Sequence, residues 1–91
     1  MDPQWKVSLL PSALGELDQL TDSIREQAMQ SIADLAEDPF PAGSIPLRGY
    51  RHLYRIRFYR DQYRVIYRVS EIQRRVLVLR VRPRGNAYKG L

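Results

Sequence analysis

Arginine and tyrosine are the residues through which this chain could do chemistry. Between Arg55 and Val69 the segment RIRFYRDQYRVIYRV holds five arginines and three tyrosines. Arginine presents a planar fork that matches a phosphate and a flat face that stacks on a base. Other routes are closed by composition. There is no cysteine, which removes disulfides, thiolate nucleophiles and cysteine metal sites. His52 is the only histidine, and a lone histidine is more often a surface or packing residue than a catalyst. No glycine-rich phosphate loop, carboxylate pair or nucleophile with a partner base is visible. What remains is a reaction whose substrate brings its own nucleophile. RNA does so: its 2′-OH attacks the adjacent phosphate, leaving a cyclic phosphate and a free 5′-OH. Arginines would stabilise the charge that builds on the pentavalent phosphorus, and a crowded arginine field would lower a neighbouring tyrosine toward base function. Lacking a strong general base, such a reaction depends on how well the RNA is positioned.

The charge distribution points the same way. The net charge of +5 hides a segregation: residues 1–47 hold two basic groups against eight acidic ones, and residues 48–91 hold thirteen against two, Asp61 and Glu71. A half-chain carrying +11 steers and holds polyanions, nucleic acid first among them. At 91 residues the chain is long enough for one domain with a single modest core. It shows no signal-peptide pattern and no apolar run near the roughly 20 residues that cross a bilayer. The expectation is a soluble, cytoplasmic protein without a cofactor or metal.

The elements that must position the arginines can be read from periodicity. QWKVSLL alternates through Trp5, Val7 and Leu9 as a first strand. Pro11 suits the first turn of a helix over 11–20, with Leu14, Leu17 and Leu20 at helical spacing and Gly15 weakening it. Thr21 and Asp22 are N-cap candidates for a second helix, whose apolar face is Ile24, Ala28, Ile32, Leu35 and Ala36 and which ends near Asp38, where EDPFPAGSIP breaks the pattern. HLYRIRFY, QYRVIYRV and RVLVLRV then read as an antiparallel meander that Pro83 ends. The expected fold class is α+β: an N-terminal strand and a two-helix hairpin packed on a mostly antiparallel twisted sheet.

Register sorts the arginines. Pairing apolar with apolar sets Phe58 opposite Tyr63, Ile56 opposite Val65 and Tyr54 opposite Tyr67. This demands an even loop, and because Arg60-Asp61 lacks Asn-Gly turn chemistry, four residues from Tyr59 to Gln62 are favoured over two. The same register sets Arg57 directly opposite Arg64, with Arg55 and Arg68 on that face. Opposed like charges cost up to about 1 kcal/mol per pair. A solvated basic face would accept that repulsion with no gain, whereas a face built to grip phosphate explains it. The last strand is apolar on both faces, Val76 and Val78 on one and Leu77, Leu79 and Val81 on the other, so it belongs in the sheet interior with the N-terminal strand as a candidate neighbour. Its end delivers Arg82, Arg84 and Tyr88 to one end of the sheet.

Taken together these segments resemble the RelE/ParE superfamily of bacterial toxin-antitoxin toxins over nearly the whole chain. PSALGELDQL is similar to the family's first helix, IREQAMQSIADLAEDP to its second, IPLRGYRHLYRIRFYRDQYRVIYRV to its sheet, and VLRVRPRGNAY to its closing strand and tail. The resemblance to the RelE branch implies ribosome-dependent, metal-independent cleavage of mRNA in the decoding site of the small subunit, with ribosomal RNA nearby, and neutralisation by a cognate antitoxin. Position by position, Arg55 and Arg57 match the paired basic residues of the Y-K-x-K strand, Arg64 the arginine of the G-x-Y-R strand, Arg84 the arginine before the tail, and Tyr88 the tail tyrosine that positions or stacks on a base. Arg68, Arg82 and Lys89 would extend the RNA-binding surface. The chain departs from that pattern at Arg55 and Arg57, since arginine is a poor proton donor, at Asp61 in place of a glycine, and at Pro83. Two alternatives remain: a ParE-type toxin that poisons DNA gyrase by protein contact, and a non-catalytic RNA-binding module.

Overall fold

The computed structural model describes residues 4–91. Its elements are β1 (Lys6–Leu9), α1 (Pro11–Asp18), α2 (Asp22–Asp34), β2 (Ile45–Pro46), β3 (Leu53–Phe58), β4 (Tyr63–Ser70) and β5 (Arg75–Pro83). The five strands form one sheet in the order β1-β5-β4-β3-β2. β1 runs parallel to β5 and every other pair is antiparallel. β5 is therefore an interior strand with β1 beside it, as its apolar character on both faces demands. β2, two residues ending in a proline on the sheet edge, is the strand that sequence periodicity missed, because two residues carry no period.

Pro11 occupies the first turn of α1, where its absent N–H costs nothing. Both helices stop earlier than the spacing predicts, α1 at Asp18 and α2 at Asp34. In α1 Ala13 and Leu17, four apart, face the sheet and Leu14 is half exposed, so the leucine spacing overstated the buried face. Thr21 stands at the N-cap of α2 but its hydroxyl makes no capping bond, and the adjoining Asp22 is taken up by Arg25. Arg25 reaches back to the end of α1, donating from Nε to the Leu17 carbonyl (3.2 Å) and from Nη2 to that of Leu20 (2.8 Å). A cation thus fills the carbonyl end of α1 and fixes the helical hairpin.

The hairpin covers one face of the sheet. Ala28, Ile32 and Leu35 of the α2 region meet Ile56 and Phe58 of β3, Val65, Tyr67 and Val69 of β4, and Val76, Val78 and Val81 of β5. Tyr67 is fully buried and its hydroxyl donates to the Pro39 carbonyl at 2.7 Å. Burial pushes that hydroxyl up to about 12, against the opposing pull of a Ser44 hydrogen bond. Trp5, Phe40, Tyr54 and Tyr67 form a chain of aromatic contacts, with Arg74 capping the Trp5 ring at 4.4 Å.

The position of Val81 is a correction to strict alternation. β4 and β5 pair Ile66 with Arg80 but Tyr67 with Val78, so Leu79 is an extra residue. This bulge reverses the phase of the last third of β5. It turns Val81 onto the helix face beside Val76 and Val78, rather than with Leu77 and Leu79, and it swings Arg80 and Arg82 onto the opposite face. Regular pairing would have driven both arginines into the core.

Candidate functional site

The face away from the helices collects the arginines. The β3–β4 register is the one that apolar matching requires, with Phe58 opposite Tyr63, Ile56 opposite Val65 and Arg57 opposite Arg64. Because of the bulge, Arg64 also faces Arg82, so three neighbouring strands place an arginine at one level of the sheet. The link between β3 and β4 has the four residues expected, closed by a bond from Gln62 N–H to the Tyr59 carbonyl at 3.0 Å. Tyr59, Arg60 and Asp61 take φ of 54°, 53° and 68°, three successive non-glycine residues in the left-handed region. Each costs about 1–2 kcal/mol unless local bonds compensate, least for Asp.

Asp61 supplies that compensation and organises the site. Its Oδ1 lies 3.0 Å from Arg57 Nε and 3.1 Å from Arg64 Nη1, and its Oδ2 lies 4.0 Å from Arg84 Nη1. Its carbonyl also accepts from Arg64 Nη1 at 2.8 Å. Arg84 reaches this point because its backbone N–H donates to the Gln62 carbonyl at 2.9 Å, which stitches the start of the tail to the hairpin link. Arg57, Arg64 and Arg84 therefore converge on one carboxylate. The opposition of Arg57 and Arg64, a cost in the sequence, is bridged here by an anion.

These arginines differ in freedom. Arg64 and Arg55 are each only 7% exposed, whereas Arg57 and Arg84 stand largely in solvent. Arg64 Nε and Arg55 Nη1 are enclosed with no hydrogen-bond partner. The ion-pair contacts to Asp61 Oδ1 are close in distance but not aligned as hydrogen bonds, which leaves that oxygen unsatisfied too. A buried guanidinium with unused donors is poised for an acceptor that bonds it better. Arg55 borders a recess of about 190 Å³ between the Ala42–Gly43 loop and β3.

The other sequence candidates lie elsewhere. Arg82 shares the arginine row through its backbone, but its Nε pairs with Glu16 Oε2 of α1 at 2.6 Å. Glu16 also accepts the Val81 N–H (2.9 Å) where β5 has run past the end of β1, so one carboxylate caps a bare strand edge and anchors an arginine. Arg68 is exposed four residues along β4 from Arg64, about 13 Å away, in a recess with His52 and Glu71. His52 thus stands at the far end of the face from the Asp61 group. Tyr88 lines a recess with Leu47, Arg48, Tyr50 and Leu91 that shares no residue with that group, and Lys89 borders the groove formed by Glu16, Tyr63 and Arg82. The tail itself folds over the arginine face: Ala87 is fully buried, Arg80 Nη1 donates to the Ala87 carbonyl at 3.1 Å, and the Tyr50 hydroxyl donates to that of Leu91. The face that alternation assigns to solvent is closed at its centre, where Ile66 is fully buried.

Two residues that matter here, Asp61 and Glu16, escaped the sequence search for chemistry. Asp61 carried a signal, as the single acid in a hairpin of arginines. Glu16 carried none, because it acts on residues more than sixty positions away.

A sequence model described as the ParE toxin of the type II toxin-antitoxin system parDE matches residues 7–88. The chain belongs to this family of toxins. Among solved structures it is similar to the isolated RelE toxin of E. coli, at 26% identity and a TM-score of 0.75, covering 87% of this chain and 83% of that one. It is also similar to a chain of the archaeal RelE–RelB complex of Pyrococcus horikoshii OT3, at 27% identity, TM-score 0.78 and coverage of 92% and 99%. The YoeB/ParE toxin of Agrobacterium tumefaciens follows at 26% identity, TM-score 0.72 and coverage of 86% and 96%. No curated protein sequence gives a match. The chain is thus a toxin-antitoxin toxin of the RelE/ParE superfamily, with the α+β fold of RelE.

Proposed function

We propose that this toxin cleaves mRNA on the ribosome, using Arg57, Arg64 and Arg84 to hold the scissile phosphate. The observation that supports the reading is their convergence on one anion position, from two strands and the tail, with unused donors on Arg64 and neighbouring Arg55. In this reading the substrate's 2′-OH attacks the phosphate and the 5′-oxygen leaves. The arginines neutralise the added negative charge on the non-bridging oxygens, where it is largest in the transition state. Arg55 supports the site from β3, and Tyr88 on the tail is the surface for base stacking. Tyr67 takes no part as a base, being buried on the other face and shifted upward. Deprotonation of the 2′-OH is left to groups that the ribosome and the RNA bring, which accounts for the need for the ribosome.

A cognate antitoxin is the second partner. The Pyrococcus horikoshii relative is seen as a RelE–RelB complex, and the basic half of this chain suits an acidic antitoxin segment. The site of action is the cytoplasm, where the ribosomes are.

The matching family model, named for parDE, favours a second reading, inhibition of DNA gyrase by protein contact. One experiment separates them: the purified toxin is added in parallel to translating ribosomes and to a gyrase supercoiling reaction. Cut mRNA with unimpaired supercoiling is expected. Intact mRNA with blocked supercoiling would transfer the assignment to gyrase.

A further inference from the structure

The anion seat is already occupied, by a side chain of the protein itself. We infer that Asp61 is an internal competitor at the phosphate site, a carboxylate that takes the place of an RNA phosphate between Arg57, Arg64 and Arg84 and sets how tightly the toxin grips its substrate. The inference rests on the phosphate-binding reading above and adds a residue to it. Three guanidinium groups surround one carboxylate, at 3.0, 3.1 and 4.0 Å. No other acid lies within ion-pair distance of these three arginines among the described residues.

Three features mark the carboxylate as replaceable. Its Oδ1 contacts two arginines without an aligned hydrogen bond, so the pair is Coulombic and leaves donors unused. Its own side chain is 43% exposed, on the rim rather than in the core, so it leaves without opening the fold. It stands on the four-residue link between β3 and β4, outside the strand pairing, so the side chain turns away without breaking a ladder bond. A phosphodiester offers two non-bridging oxygens and bidentate geometry to the same guanidinium groups, a better fit than one carboxylate oxygen shared between two arginines. Arg64 Nε, sealed and unpartnered now, gains an acceptor in the exchange.

The test is binding of a short single-stranded 2′-O-methyl oligoribonucleotide, which lacks the attacking hydroxyl and stays intact. Affinity is measured by fluorescence anisotropy across a salt series, for the wild-type chain, Asp61→Asn and Glu71→Gln. Asparagine tolerates the left-handed backbone as aspartate does, so the first substitution removes charge alone. Glu71→Gln changes net charge equally at the other link of the meander, near Arg68. Asp61→Asn is expected to bind about five- to twentyfold more tightly and to steepen the slope of log K against log salt by about 0.7, one more phosphate contact. Glu71→Gln should gain less than about twofold with an unchanged slope. Equal gains from both substitutions, or no change in slope for Asp61→Asn, would overturn the inference. Should Asp61→Asn prove unfolded by circular dichroism, Asp61→Gly, which relieves φ of 68°, carries the same expectation. Tighter binding by Asp61→Asn without any cutting of mRNA on ribosomes would sink the nuclease reading and leave Asp61 as the competitor.

Discussion

At the residue scale the molecule is defined by which cations have a partner. Arg64 is nearly buried and held by Asp61 through both carbonyl and carboxylate, while Arg84 is exposed and joined only at 4.0 Å. Arg84→Ala is therefore the cleaner probe of function. It should leave the thermal midpoint unchanged within the effect of an exposed ion pair, about 0.5 kcal/mol, and abolish growth arrest on expression. Full toxicity in a strain that accumulates the variant would remove Arg84 from the site. Tyr67 gives a test on the helix face. Its folded pKa of about 12 lies above the ordinary 10, so neutral Tyr67 contributes stability that is complete below pH 10 and is lost as pH rises toward 12. Tyr67→Phe removes that alkaline component and leaves the Pro39 carbonyl without its donor. The expected cost near neutral pH is about 1–2 kcal/mol, read from urea denaturation, with a shallower decline between pH 10 and 12.

At the element scale two irregularities place the site, and they differ in how far the sequence shows them. The four-residue link was legible, because apolar pairing in β3 and β4 allows only an even loop. Its left-handed course was not, since Tyr, Arg and Asp announce no such turn. Glycine suits that backbone, and Arg60→Gly should raise stability by up to about 1 kcal/mol, checked by thermal and chemical denaturation. The bulge at Leu79 leaves a trace in the sequence. Strict alternation from Val76 and Val78 puts Arg80 and Arg82 in the core, an arrangement that physics rejects, so a change of phase was implied between Val78 and Arg80. The edge cap at Glu16 could not be foreseen, because it joins α1 to a strand edge exposed only where β1 stops. Glu16→Ala leaves the Val81 N–H unpartnered and Arg82 with only its 3.5 Å bond to the Asn86 carbonyl, and the expected loss is about 1–2 kcal/mol. Glu16→Gln, which still offers an acceptor to Val81, should lose less.

At the scale of the whole molecule, the hairpin of helices covers one face of the sheet and the tail folds over part of the other, which carries the arginines. The order of elements other than β2, and the β3–β4 register, follow from hydrophobic period and the prolines and turn residues that interrupt it. The convergence of Arg84 with Arg57 and Arg64 does not, because it depends on a backbone bond between Arg84 and Gln62 that no periodicity encodes. Nor does the way the tail closes the centre of the arginine face, burying Ala87 and setting Tyr88 beside Arg48 and Tyr50. The resulting layout, one anion seat at the end of a basic half-molecule, is the basis for assigning phosphate chemistry to it. The most direct measurement is the identity of the mRNA ends after wild-type toxin meets ribosomes stalled with a defined codon in the A site. Cleavage within that codon, leaving a 2′,3′-cyclic phosphate and a 5′-hydroxyl, is the predicted result, whereas mRNA that stays whole, or ends bearing a 3′-hydroxyl and a 5′-phosphate, would contradict it.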